Sequence, residues 1–170
     1  MIHHAASPMQ KQIHLLDADA TATLGRDLAQ LLVAGDTVLL SGSIGAGKSH
    51  LARAIIQERM ALDRRPVEDV PSPTYTLVQT YSLTGVEIWH ADLYRLTMPD
   101  EAFELGLDTA FEDAICLIEW PDRLGSDCPA DALSIHLDVE ATGRTATLSA
   151  TDERWEPIVS EPASQPGASA

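Results

Sequence analysis

No stretch of the 170-residue chain approaches the ~18–20 consecutive apolar residues of a membrane-spanning helix, which argues against a helical membrane span. The opening Met1-Ile2-His3-His4-Ala5-Ala6-Ser7-Pro8 lacks a basic segment followed by an apolar one, so no secretory signal is read and a cytoplasmic location is expected. Cysteine is scarce. Cys116 and Cys128 stand twelve positions apart without Cys-x-x-Cys spacing, and Cys116 lies in an apolar run, so it reads as packing rather than as a redox centre or a zinc ligand. Histidines show no metal-ligand spacing either, and His90 reads as a core or hairpin residue. Positive charge is also sparse. Eleven Lys and Arg oppose 26 Asp and Glu, for a net charge of −15. Such a field repels phosphate backbones and argues against direct DNA or RNA binding by this chain alone, while leaving room for a role in RNA metabolism through a basic partner.

Apolar residues, at 45%, suffice for a packed core. The length fits one domain, expected over residues 14–155, after a loose lead-in at 1–13 and before a disordered tail at 156–170. A helix is expected from Asp19, with Asp17 or Asp19 as cap, Leu24, Leu28, Leu31 and Leu32 at helical spacing, and Gly35 as its end. Thr37–Leu40 is a short apolar strand, and Lys48 to about Met60 is a second helix. Thr74–Tyr81 and Val86–His90 read as strands joined by a hairpin turn at Leu83-Thr84-Gly85. Pro99-Asp100-Glu101 opens a short helix that Gly106 ends. Ala114–Ile118 is an apolar strand delivering Glu119, and Ala132–Val139 with Thr145–Ala150 form a last pair. The expected class is α/β: three layers around a mixed, mostly parallel central sheet with an inserted antiparallel hairpin.

Gly42-Ser43-Ile44-Gly45-Ala46-Gly47-Lys48-Ser49 matches the pattern Gly-x-x-x-x-Gly-Lys-Ser between a strand and a helix, the context a phosphate loop needs. The glycines let successive N–H groups turn toward phosphate oxygens, Lys48 reaches the β- and γ-phosphates, and the Ser49 hydroxyl is placed for magnesium. An acid at the end of a buried strand completes such a site. Glu119 is the better magnesium ligand, directly or through water, because it ends the more apolar strand. Asp92 is a candidate to orient or activate the attacking water. Thr74 and Thr76 are both placed to act as a switch threonine, and Trp120 either shields the site or packs beside it.

Four blocks in order, Gly42–Ser49, Ser72-Pro73-Thr74-Tyr75-Thr76-Leu77-Val78, His90-Ala91-Asp92-Leu93-Tyr94-Arg95-Leu96 and Ile115-Cys116-Leu117-Ile118-Glu119-Trp120-Pro121, resemble the bacterial TsaE (YjeE) family of small P-loop ATPases. The resemblance spans about residues 14–150. It implies ATP and Mg2+ as ligands and a slow, partner-stimulated ATPase that supports threonylcarbamoylation of the adenosine next to the anticodon, in transfer RNAs reading codons that begin with A. The implied partner is the TsaD–TsaB complex, with transfer RNA reached only through it. The resemblance further implies that Lys48 and Ser49 hold phosphate and magnesium, that Glu119 completes the metal shell, and that hydrolysis depends on Asp92. Thr76 corresponds to the switch threonine, and Trp120 to a tryptophan beside the site. Asp17–Thr23 corresponds to an adenine-contacting stretch, and Arg144 sits in a family-like turn. Ser49 stands where threonine is common, and Ser43-Ile44 replaces a frequent Asp-Leu. The readings that compete are a small-molecule kinase, for which no lid-like arginine segment stands out, and a nucleotide-dependent binding switch without useful catalysis.

Overall fold

The structure, a computed structural model, describes residues 8–160. Inside its sheet runs a strand with every position buried, β5 (Ile115–Glu119), as expected of a strand covered on both faces. On one side lies β2 (Thr37–Gly42) and on the other β4 (Val86–Asp92), both parallel to it. β6 (Leu133–Val139) adds a further parallel neighbour to β2. The edges are antiparallel. β3 (Val78–Leu83) folds back on β4 through the Thr84-Gly85 turn, and β7 (Arg144–Ala150) and β1 (Met9–Leu15) extend the opposite side. The seven-stranded order is β1-β7-β6-β2-β5-β4-β3, a mixed sheet parallel at its core, as the expected fold class requires.

Helices cover both faces, giving the three layers. α1 (Ala18–Leu31) and α2 (Lys48–Leu62) seal the face carrying Val38, Leu40, Ile115 and Leu117. Asp17 caps α1 by accepting the Ala20 N–H at 2.9 Å. The two helices approach closely at Gly25, where a Cβ would sit 2.7 Å from that of Ala54. Arg59 of α2 donates to the Ala29 and Leu32 carbonyls, satisfying acceptors that the end of α1 leaves open. The opposite face, with Leu39, Cys116 and Ile118, is covered by α3 (Pro99–Glu104) and α4 (Leu107–Asp113). No helix among the described residues is long and apolar enough to cross a membrane.

The structure departs from the sequence reading at four places. Met9–Leu15, which begins inside the lead-in expected over 1–13, is β1: its alternate residues turn inward, and β7 supplies a full antiparallel ladder. Thr74–Leu77 is not strand, because the Leu77 N–H closes a turn onto the Pro73 carbonyl at 2.8 Å and Leu77 takes a left-handed φ of 66°. α4 follows Gly106 directly and was not foreseen. Glu156–Val159, placed in the expected tail, forms the short helix α5 and buries Val159. The rest of that tail, 161–170, and residues 1–7 lie outside the described residues.

Candidate functional site

The register of the parallel core decides which side chains meet. Leu40 of β2 pairs with Glu119 of β5, and Glu119 pairs with Asp92 of β4, so both acids end their strands at the level where β2 turns into the phosphate loop. This is the carboxyl edge, where ligands bind in open α/β sheets. The loop leaves β2 at Gly42, whose φ of 139° and close approach to β6 exclude a side chain: a Cβ there would stand 2.5 Å from the Leu137 carbonyl oxygen. Gly47 then caps α2 at a φ of 109°, which aims the first turn of α2, with its unpaired N–H groups, into the cleft.

The cleft holds about 410 Å³ and is lined by the loop, Lys48, Ser49, Ser72, Thr74, Asp92, Glu119 and Trp120, among others. Lys48 is 5% exposed. Its Nζ donates to the Gly42 and Ser43 carbonyls at 2.7 and 2.9 Å and lies 4.3 Å from the Trp120 ring centre. Burial pushes its ammonium below the ordinary lysine value, and the charges of Glu119 and Asp92 pull it back up. The Ser49 hydroxyl donates to both oxygens of Glu119, at 2.9 and 3.1 Å. Glu119 and Asp92 are 2% and 7% exposed. Asp92 Oδ2 takes the Thr74 hydroxyl at 3.4 Å, Thr74 contacts Ser72 Oγ at 2.9 Å, and Asp92 Oδ1 accepts the Tyr94 N–H at 3.1 Å. A serine hydroxyl beside a buried carboxylate, at the foot of a glycine loop, is an all-oxygen donor set that fits a hard divalent cation such as magnesium. The loop amides and Lys48 fit a phosphate chain.

Comparison with known proteins identifies the family. A family model described as "Threonylcarbamoyl adenosine biosynthesis protein TsaE" matches residues 15–146. A tRNA threonylcarbamoyladenosine biosynthesis protein TsaE from Haemophilus influenzae is 33% identical over 153 residues, covering 86% of this chain and 94% of the relative. One of the same name from Streptomyces coelicolor is 36% identical over 141 residues, covering 78% and 91%. The chain belongs to the TsaE family. The crystal structure of Bacillus subtilus YdiB shares the fold, with a TM-score of 0.70 at 22% identity over 91% of this chain and 93% of that one. Membership places the chain among P-loop nucleotide-binding proteins of tRNA threonylcarbamoyladenosine biosynthesis.

Within this TsaE-family chain the structure gathers most of the residues picked out in the sequence. Lys48, Ser49, Asp92, Glu119 and Trp120 converge, and Trp120 holds a left-handed φ of 58° that costs roughly 1–3 kcal/mol in a non-glycine residue. Thr76 does not join them. It is exposed and accepts from Gln79, whereas Thr74 faces the cleft. Nor does Asp17–Thr23 line the cleft; its link to the site is His50, bonded to the Ala18 carbonyl at 3.0 Å. Arg144 braces the loop from outside, donating to the Ala46 and Gly45 carbonyls at 3.2 and 3.3 Å. His90, read as a core histidine, is buried but contacts Glu119 directly. Its spacing of two from Asp92 on one strand was the available signal, since residues i and i+2 share a face.

Proposed function

We propose that the chain is a magnesium-dependent ATPase that acts in the cytoplasm with the TsaD–TsaB complex, supporting threonylcarbamoylation of the adenosine next to the anticodon. The observation that carries this reading is the junction of Ser49 with Glu119, beside Lys48 and level with Asp92. In this reading the loop amides and Lys48 bind the β- and γ-phosphates, and Ser49 and Glu119 hold the cation. Magnesium, when bound, neutralises phosphate charge as it builds up. Asp92 orients a water and accepts its proton as the oxygen attacks the γ-phosphorus, and the bond to the bridging oxygen breaks to leave ADP and phosphate. Thr74 takes the place first assigned to Thr76, because its hydroxyl already contacts Asp92. Trp120 covers Lys48 and shields the site from bulk water. Hydrolysis then resets the partner complex between turnovers.

The test is a pull-down of purified TsaD–TsaB by this chain with ATP, with ADP and without nucleotide, run beside an assay of phosphate release. The reading expects nucleotide-dependent capture and faster release in the presence of the complex. Nucleotide binding without capture in any of the three states contradicts it, as does transfer of the phosphate to a metabolite in place of its release.

A further inference from the structure

Glu119 is held from two sides. Ser49 reaches it from the cleft, and His90 reaches it from within the sheet, with Nε2 to Oε2 at 2.7 Å. The alternation of β4 turns Ile88, His90 and Asp92 to the same face, and the register sets His90 opposite Leu117, two residues inside the Asp92–Glu119 pair. His90 is 1% exposed. An ionised carboxylate only accepts hydrogen bonds, so Nε2 carries the proton in this contact. The other ring nitrogen, Nδ1, is buried and has no hydrogen-bond partner among the described residues. A proton on Nδ1 would be a buried donor without a partner, so the geometry favours the tautomer that carries its proton on Nε2.

We propose that His90 is a positioning residue for the cation site: it holds Glu119 Oε2 from beneath, so that Oε1 faces the cleft beside Ser49 Oγ. The inference rests on the reading of Glu119 as a cation ligand. It adds the group that keeps that carboxylate in place when Ser49 gives up its hydrogen bond. Hydrogen-bond partners of this kind, one step behind the metal ligands, commonly contribute about 10- to 100-fold in metal affinity. The chemistry predicts that a neutral amide donor can replace the ring N–H, and that an aliphatic side chain of similar bulk cannot.

The experiment titrates Mn2+ into the full chain with saturating ADP and follows free Mn2+ by electron paramagnetic resonance, for the wild type, His90→Leu, His90→Gln and Glu119→Gln. ADP affinity is measured separately without metal. His90→Leu is expected to weaken Mn2+ binding about tenfold, His90→Gln to restore most of the loss, and metal-free ADP affinity to stay unchanged in both. A folded His90→Leu that binds Mn2+ as the wild type does, while Glu119→Gln loses affinity, overturns the role of His90 and leaves the site reading standing. Wild-type Mn2+ affinity in Glu119→Gln overturns the site reading and this inference with it. Should His90→Leu not fold, nitrogen-15 spectra of the wild-type histidine rings decide. A protonated Nε2 with bare Nδ1 on His90 supports the assignment, and the opposite tautomer overturns it.

Discussion

Lys48 is a charged side chain kept where a lysine is seldom buried, beneath the Trp120 ring and bonded to the loop's own carbonyls. In the proposed reading this is a stored phosphate contact: the ammonium would exchange carbonyl contacts for a ligand of higher charge without first being stripped of bulk water. Asp92 sits across the cleft with one oxygen on a backbone N–H and the other at Thr74. Replacing it by Asn keeps the shape and removes the proposed base. Asp92→Asn is therefore expected to lower kcat for ATP hydrolysis by about 100-fold or more, with nucleotide affinity close to wild type; a full-rate variant in a phosphate-release assay removes Asp92 from the mechanism. The cysteines give an independent check on packing. Burial pushes the Cys116 thiol up to about 12, and burial with the Asp122 and Asp127 charges pushes the half-buried Cys128 up as well. The thiolate is the reactive form, so at pH 8 Cys116 is expected to stay unlabelled by iodoacetamide while Cys128 reacts slowly, and faster as pH rises. Mass spectrometry of the native and the urea-unfolded chain reads this out, and native labelling of Cys116 contradicts the buried β5.

Among the elements, the phosphate loop depends most on glycine geometry. Gly42 combines a left-handed backbone with contact against the Leu137 carbonyl oxygen. Gly42→Ala is expected to destabilise the fold by about 2 kcal/mol in urea unfolding and to impair ATP binding, because the loop must shift off β6. An unchanged midpoint shows that the loop yields more easily than its packing suggests. Local patterns made some elements legible before the structure. Gly42–Ser49 and Ile115–Glu119 each declare themselves within a few residues, one by its glycine spacing and the other by unbroken apolarity. β1 carries the alternation Met9, Lys11, Ile13, Leu15, but its lysine and glutamines hid a strand whose pairing partner lies far away in sequence, in β7. Thr74–Leu77 is rich in strand formers, yet Leu77 turns the chain and tertiary contacts override propensity. The choice of Thr74 over Thr76 depends on how the Pro73–Leu77 turn lies against Asp92, and the spacing of His90 from Asp92 points to Glu119 only once β4 is paired with β5.

At the scale of the molecule, a net charge of −15 surrounds a site built for an anion. Much of the small basic complement is engaged internally. Arg53, Arg59, Arg144 and Arg154 donate to backbone carbonyls, and Arg154 also pairs with the buried Asp36. Little positive charge is left to grip RNA, which fits the proposal that the chain reaches transfer RNA through other proteins. The TsaE-family assignment is consistent with the proposal that nucleotide chemistry belongs to this chain and RNA chemistry to a partner. The most direct test replaces the native TsaE of a bacterium by this chain and quantifies threonylcarbamoyladenosine in digested transfer RNA by mass spectrometry. The wild-type chain should restore the modified nucleoside, and Lys48→Ala, expressed to the same level, should not. Full restoration by Lys48→Ala would contradict the claim that nucleotide binding at Gly42–Ser49 drives the modification.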